Sequence, residues 1–160
     1  MNTTLYPLSL YYDAACPVCA FEMDHLRERD RHGRLVFIDI AAPGFDAAEH
    51  GATFQAMDAQ LHARRADGSW AIGVEALRLA YAAVGLGWLW RPTGWPLLEP
   101  LAAAAYRLFA RHRRAISGRA APLIDALRAA RAARTLRRMQ ACRDGACAHD
   151  PGDVDARRTS

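Results

Sequence analysis

Two cysteines, Cys16 and Cys19, constrain this chain more than any other feature, because of what flanks them. Residues 8–12 are apolar and aromatic and read as a short buried strand. Asp13-Ala14-Ala15 breaks that run. Pro17 then stands at the first position of a helix, where its missing N–H costs nothing. The helix is expected to reach Asp30 or His32, with Gly33 as its stop signal. Residues 35–40 form a second buried strand, so the cysteine pair sits at the first turn of a strand–helix–strand unit. In this setting Cys16 caps the helix, and Cys19 lies one turn further in, on the face of Met23 and Leu26.

The chemistry explains the placement. A thiolate is the attacking species in disulfide exchange, and a helix N-terminus favours negative charge. Cys16 is therefore expected to attack a disulfide and Cys19, the more buried thiol, to resolve the mixed disulfide. Other readings stay open. The pair could be half of a zinc site completed by Cys142 and Cys147, with His149 as a spare ligand, in a metal-binding or anion-docking adaptor that performs no turnover. It could also be two inert buried thiols. Zinc ribbons pair CxxC knuckles on turns, whereas here one pair starts a helix and the other lies in a polar tail. Asp13 reads either as a proton acceptor for a thiol or as a residue that caps and shapes the turn. Tyr12 reads as a wall of the site or as strand packing, and Pro17 lies beside the thiols.

Downstream, Pro43-Gly44 marks a turn, residues 46–50 one helical turn stopped by Gly51, and Thr53 the cap of another. Residues 59–65 alternate as a strand, Asp67-Gly68 is a hairpin turn, and residues 69–72 form the return strand. Residues 74–84 carry a helical stripe ended by Gly85. The order βαβ then ββα is that of a thioredoxin core, expected over residues 5–85 of an α/β fold. Residues 86–141 are expected to be an α-helical extension. It opens with a loop in which Trp88, Trp90 and Trp95 pack among prolines. A helix over 101–111, a basic connection over 111–119 and a helix over 122–140 follow. Residues 142–160 read as a mobile tail, whose Cys142 and Cys147 either form a second disulfide that exchanges with the first pair or oxidise alone.

The run Tyr12-Asp13-Ala14-Ala15-Cys16-Pro17-Val18-Cys19 resembles the YDGxCPxC signature of the DCC family of thiol-disulfide oxidoreductases. The similarity continues through Asp67-Gly68 and Gly73/Glu75-Ala76, and more loosely through Tyr106 and Arg111 to Arg114, covering about residues 8–115. The resemblance implies a thioredoxin-like fold and a redox site of Asp13, Cys16 and Cys19. No cofactor is implied beyond the dithiol, and the substrate is a disulfide-containing protein or a low-molecular-weight thiol. Ala14 stands where the family has Gly, which costs about 1 kcal/mol if that turn needs positive φ. No proline occurs between Pro43 and Pro92, so the cis-proline that faces the dithiol in thioredoxins is missing.

Composition bounds the rest. In 160 residues, 52% hydrophobic and 24% charged, the chain has globular balance and is not wholly disordered. Residues 1–10 carry no basic start or long apolar run, so no secretory leader is expected, and the longest apolar stretch, 86–110, is interrupted by Arg91, Glu99, Arg107 and three prolines. A cytoplasmic protein without a transmembrane segment is expected, in a compartment that keeps thiols reduced. The formal charge is +4, carried entirely by arginine among the basic residues. Arg128, Arg131, Arg134 and Arg138 recur at helical spacing. They read as a solvated face or as a docking stripe for phosphate, anionic lipid or an acidic partner. No nucleic-acid motif accompanies them, so no specific nucleic acid is expected.

Overall fold

The structure, a computed structural model, describes residues 5–143, with the side chains of residues 138 and 141–143 left out of the description. Strand β1 (Leu8–Tyr12) leads into helix α1 (Pro17–Arg29), strand β2 (Leu35–Asp39), helix α2 (Phe54–Ala59), strands β3 (His62–Arg64) and β4 (Trp70–Ile72), and helix α3 (Val74–Ala83). The four strands lie in the order β2-β1-β3-β4. β1 and β2 are parallel, with Leu8 opposite Leu35 and Tyr12 opposite Asp39, while β3 is antiparallel to both β1 and β4. This is the mixed α/β arrangement of a thioredoxin-like fold.

Strand alternation distributes the core over the two faces of the sheet. Leu8 and Leu10 face one side. There they join Ala63 and Ala71 of the neighbouring strands, Met23 and Leu26 of α1, and Ala76, Leu77 and Ala80 of α3. Tyr11 faces the other side, with Ile40, Ala47 and Met57. The helical stripes expected on α1 and α3 are therefore the faces that pack. Thr53 caps α2 through its hydroxyl, and Gly51 ends the short 3-10 turn Ala48–His50 in the left-handed region. Gly73 is the glycine that matters most. Its φ is +65°, and a Cβ there would stand 3.3 Å from the ring of Tyr106, so its absence lets that ring approach the β4–α3 junction.

Several expectations need correction. The alternation from residue 59 begins too early: Ala59 ends α2, and β3 starts at His62, because Thr53 nucleates a helix that consumes those residues. The tryptophan segment is not a loop but a helical turn, α4 (Gly87–Trp90), followed by the 3-10 turn Arg91–Gly94. Trp90 alone of its three tryptophans packs against the core, while Trp88 and Trp95 stay exposed. The basic connection over 111–119 is helical as well, inside α5 (Glu99–Arg143). Arginine and alanine are good helix formers, and Gly118 alone does not stop them. The chain divides into compact units at Met1–Ala121 and Pro122–Ser160, not after Gly85. Residues 86–121 thus belong with the sheet. The division falls where Pro122, lacking an N–H, interrupts the helical ladder at the carbonyl of Gly118. In the second unit Arg134 is exposed and Arg128 and Arg131 half-exposed; the side chain of Arg138 lies outside the description.

Candidate active site

The strand β1 and helix α1 deliver the two thiols as their sequence requires. Cys16 is the N-cap of α1, with extended backbone, and its sulfur accepts the Cys19 backbone N–H at 3.4 Å. Pro17 follows at the first helical position. The turn ahead of the helix is pinned by two carboxylates. Asp13 Oδ1 accepts the Ala15 N–H at 2.9 Å, and Asp39 Oδ1, from the end of β2, accepts the Ala14 N–H at 3.0 Å. No described residue other than glycine has positive φ, so Ala14 carries no strain in the place of the family's glycine. The two sulfurs are 2.6 Å apart, about half an ångström from bonding distance.

Helix α5 closes the other side. The Ser117 hydroxyl lies 3.3 Å from the Cys16 sulfur. One turn earlier, the buried Arg113 guanidinium places Nη2 at 3.4 Å from Asp13 Oδ2 and at 2.5 Å from Asp58 Oδ1, and Arg114 also reaches Asp58 at 3.1 Å. Tyr106, on the same face, accepts the Leu61 backbone N–H through its hydroxyl oxygen at 3.0 Å. Because Ser117 covers it, Cys16 is only 2% exposed, and Cys19 is the half-buried thiol of the pair. That reverses the expected burial, since α5 was not foreseen over the site.

The surroundings drive the two thiols apart in acidity. Cys16 is lowered to about 5, first by the hydrogen bond from the Cys19 thiol, then, against the penalty of burial, by the Ser117 hydroxyl, the Cys19 N–H and the Arg113 charge. Cys19 is raised, because its proton is held against the Cys16 sulfur, because it is buried, and because a Cys16 thiolate repels a second one.

Two spaces adjoin the dithiol. Cys16 faces a pocket of about 360 Å³ walled by Pro17, Ile40, Phe54 and Ser117, with Asp58 and Arg114 also lining it. Cys19 faces an apolar cavity of about 520 Å³, where Tyr12 is part of the wall with Leu61, Tyr106 and Phe109. The structure thus brings together Asp13, Cys16, Cys19, Tyr12 and Pro17. The carboxylate of Asp13 bonds to Ala15 and Arg113 and to neither sulfur. Among the described residues no group of three or more metal-ligating side chains gathers. The side chain of Cys142, and Cys147 and His149 entirely, lie outside the description, as do the second-disulfide and four-thiol zinc readings that depend on them. Sequence reasoning missed Ser117, Asp58 and Asp39, and took Arg113 for part of a basic connection. Its one available signal was the spacing of Tyr106, Arg113 and Ser117, which share a helical face once residues 99–121 are drawn as one helix.

The sequence matches the DCC1-like thiol-disulfide oxidoreductase family over residues 10–119, and the chain belongs to that family. The matched span includes both thiols and the part of α5 that carries Arg113 and Ser117. The chain is also 34% identical over 128 residues to an uncharacterized chloroplastic protein of Arabidopsis thaliana, an alignment that covers 79% of this chain and 59% of that protein's length. No solved structure matches. Among the described residues no helix is long and apolar enough to cross a membrane.

Proposed function

We propose that the protein exchanges disulfides by cycling between a Cys16–Cys19 dithiol and its disulfide. The observation that supports this best is the convergence of three donors on one sulfur: the Cys19 thiol, the Cys19 N–H and the Ser117 hydroxyl all meet Cys16. The thiolate of Cys16 attacks one sulfur of the substrate disulfide, and the other substrate sulfur leaves as a thiolate that takes up a proton. Cys16 then carries no charge. The hydrogen-bond acceptor and the repulsion that held the Cys19 proton are both gone, so Cys19 ionises more readily at the moment it is needed. Its sulfur attacks Cys16, the Cys16–Cys19 bond forms, and the second substrate sulfur leaves. Asp13 acts as a positioning residue, holding the turn and Arg113 rather than taking the proton itself. A compartment that returns the pair to the dithiol, such as the cytoplasm, suits this cycle.

Trapping tests the roles. Cys19→Ser incubated with a disulfide should accumulate a mixed disulfide on Cys16, seen by intact mass and peptide mapping, and Cys16→Ser should accumulate none. A stable adduct on Cys19 in the Cys16→Ser variant would reverse the assignment.

A further inference from the structure

We infer that the disulfide this site takes is a low-molecular-weight one, and that helix α5 is what excludes folded proteins. The inference rests on the oxidoreductase reading above and narrows its substrate. An oxidoreductase that works on polypeptides must expose its attacking sulfur and offer free backbone groups beside it, so that an extended substrate can pair as an added strand. Neither condition holds. Cys16 as a residue is only 2% exposed, and the Ser117 hydroxyl lies 3.3 Å from its sulfur. Leu61, which lines the cavity beside Cys19 at the entry to β3, has both backbone groups satisfied: its N–H donates to the Tyr106 hydroxyl, and its carbonyl accepts the Gly73 N–H at 2.8 Å. The close approach of Tyr106 that makes the first of these bonds is the approach Gly73 permits.

The route left to Cys16 is the pocket of about 360 Å³. That size lies at the small end of small-molecule sites, and its walls of Pro17, Ile40 and Phe54 suit the methylene arms of a compact disulfide. A protein disulfide brings main chain on both sides of each cysteine, and a pocket of about 360 Å³ does not accommodate it while α5 stays in place. The Arg113 ion pairs with Asp13 and Asp58 keep it in place. The half-reaction balances without another component. Two protein thiols become one disulfide, one small disulfide becomes two small thiols, and the two electrons pass from Cys16 and Cys19 to the substrate sulfurs. An excess of small thiol drives the reverse step.

The test measures second-order rate constants for oxidation of the reduced full chain, by quenching and thiol labelling. One arm uses small disulfides without peptide main chain (hydroxyethyl disulfide and cystamine) and the other a disulfide-bonded folded protein such as insulin. The small disulfides should react at least about tenfold faster. A second variant locates the route. Gly118 lines the pocket, and a Cβ there meets nothing within 4 Å, so Gly118→Phe should fill the space, slow the small disulfides about tenfold and leave the ionisation of Cys16 where it was. Equal or faster reaction with insulin overturns the substrate inference and leaves the oxidoreductase reading standing. An unslowed Gly118→Phe variant overturns the assigned route. No reaction with either arm above the rate of a free thiol overturns both readings.

Discussion

At position 16 a cysteine fills the role that serine or aspartate fills at most helix starts, accepting a backbone N–H from one turn ahead. The difference is that its acceptor is a thiol sulfur, so every donor that satisfies the cap also stabilises the thiolate. Ser117 is the donor that arrives from outside the helix. A hydrogen bond to a charged group contributes about 1.5–3 kcal/mol, or about 1–2 units of pKa at 1.36 kcal/mol per unit. Ser117→Ala should therefore raise the midpoint of Cys16 alkylation by about that amount and leave the far-ultraviolet spectrum unchanged. A midpoint that does not move would show that the hydroxyl merely packs. The dithiol, its cap and the pinned turn were legible in residues 12–19, because they are made by neighbours in sequence. Ser117 was not, because it lies 101 positions from the thiol it meets, and no local pattern marks a serine within a helix as a partner of a distant sulfur.

At the scale of the element, α5 is what separates this site from an open helix N-terminus. Its first turns bring Tyr106 to Leu61, Arg113 to Asp13 and Ser117 to Cys16. Arg113 is buried, and its two carboxylate partners are held in place around it, so Arg113→Leu leaves Asp13 buried and uncompensated. Such a change costs about 3–5 kcal/mol. Arg114, whose side chain is 73% exposed, should cost no more than about 1 kcal/mol when changed to alanine. Denaturant midpoints of the two variants check the contrast, and equal losses would mean that the Arg113 network does not anchor the helix. The sequence showed a basic run here and read it as a connection. A run of arginine and alanine with one glycine has no strong stop signal, and the buried face became visible only when Asp13 after β1, Asp58 of α2 and Leu61 before β3 were placed against it.

At the scale of the molecule, the strands and packing helices were readable in the sequence: apolar runs in β1 and β2, apolar stripes in α1 and α3, and glycine stops at the ends. The fate of the tryptophans was not, since residue type alone did not distinguish Trp90, which packs, from Trp88 and Trp95, which do not. The site couples the stability of the whole chain to pH. The Cys16 pKa is lowered to about 5 in the folded dithiol form, against about 8.5 in an unfolded chain. Its contribution is thus fully present above about pH 8.5, shrinks as pH falls and is gone below about pH 5. Cys19 is shifted upward, so its contribution is present below about pH 8.5 and is lost above it. The disulfide form has neither group. The stability of the reduced protein relative to the oxidised one should therefore climb from about pH 5 to about pH 8 and turn down at higher pH, and a flat difference would contradict the linkage.

The proposed exchange depends on the Cys16 sulfur being a thiolate near neutral pH, and titration of thiolate absorbance in the reduced full chain addresses that most directly. The first ionisation is expected at about 5, absent in Cys16→Ser and retained in Cys19→Ser at a somewhat higher midpoint, since the Cys19 thiol is its first stabiliser. A first ionisation at the ordinary thiol value of about 8.5, or one that survives Cys16→Ser and is lost in Cys19→Ser, would contradict it.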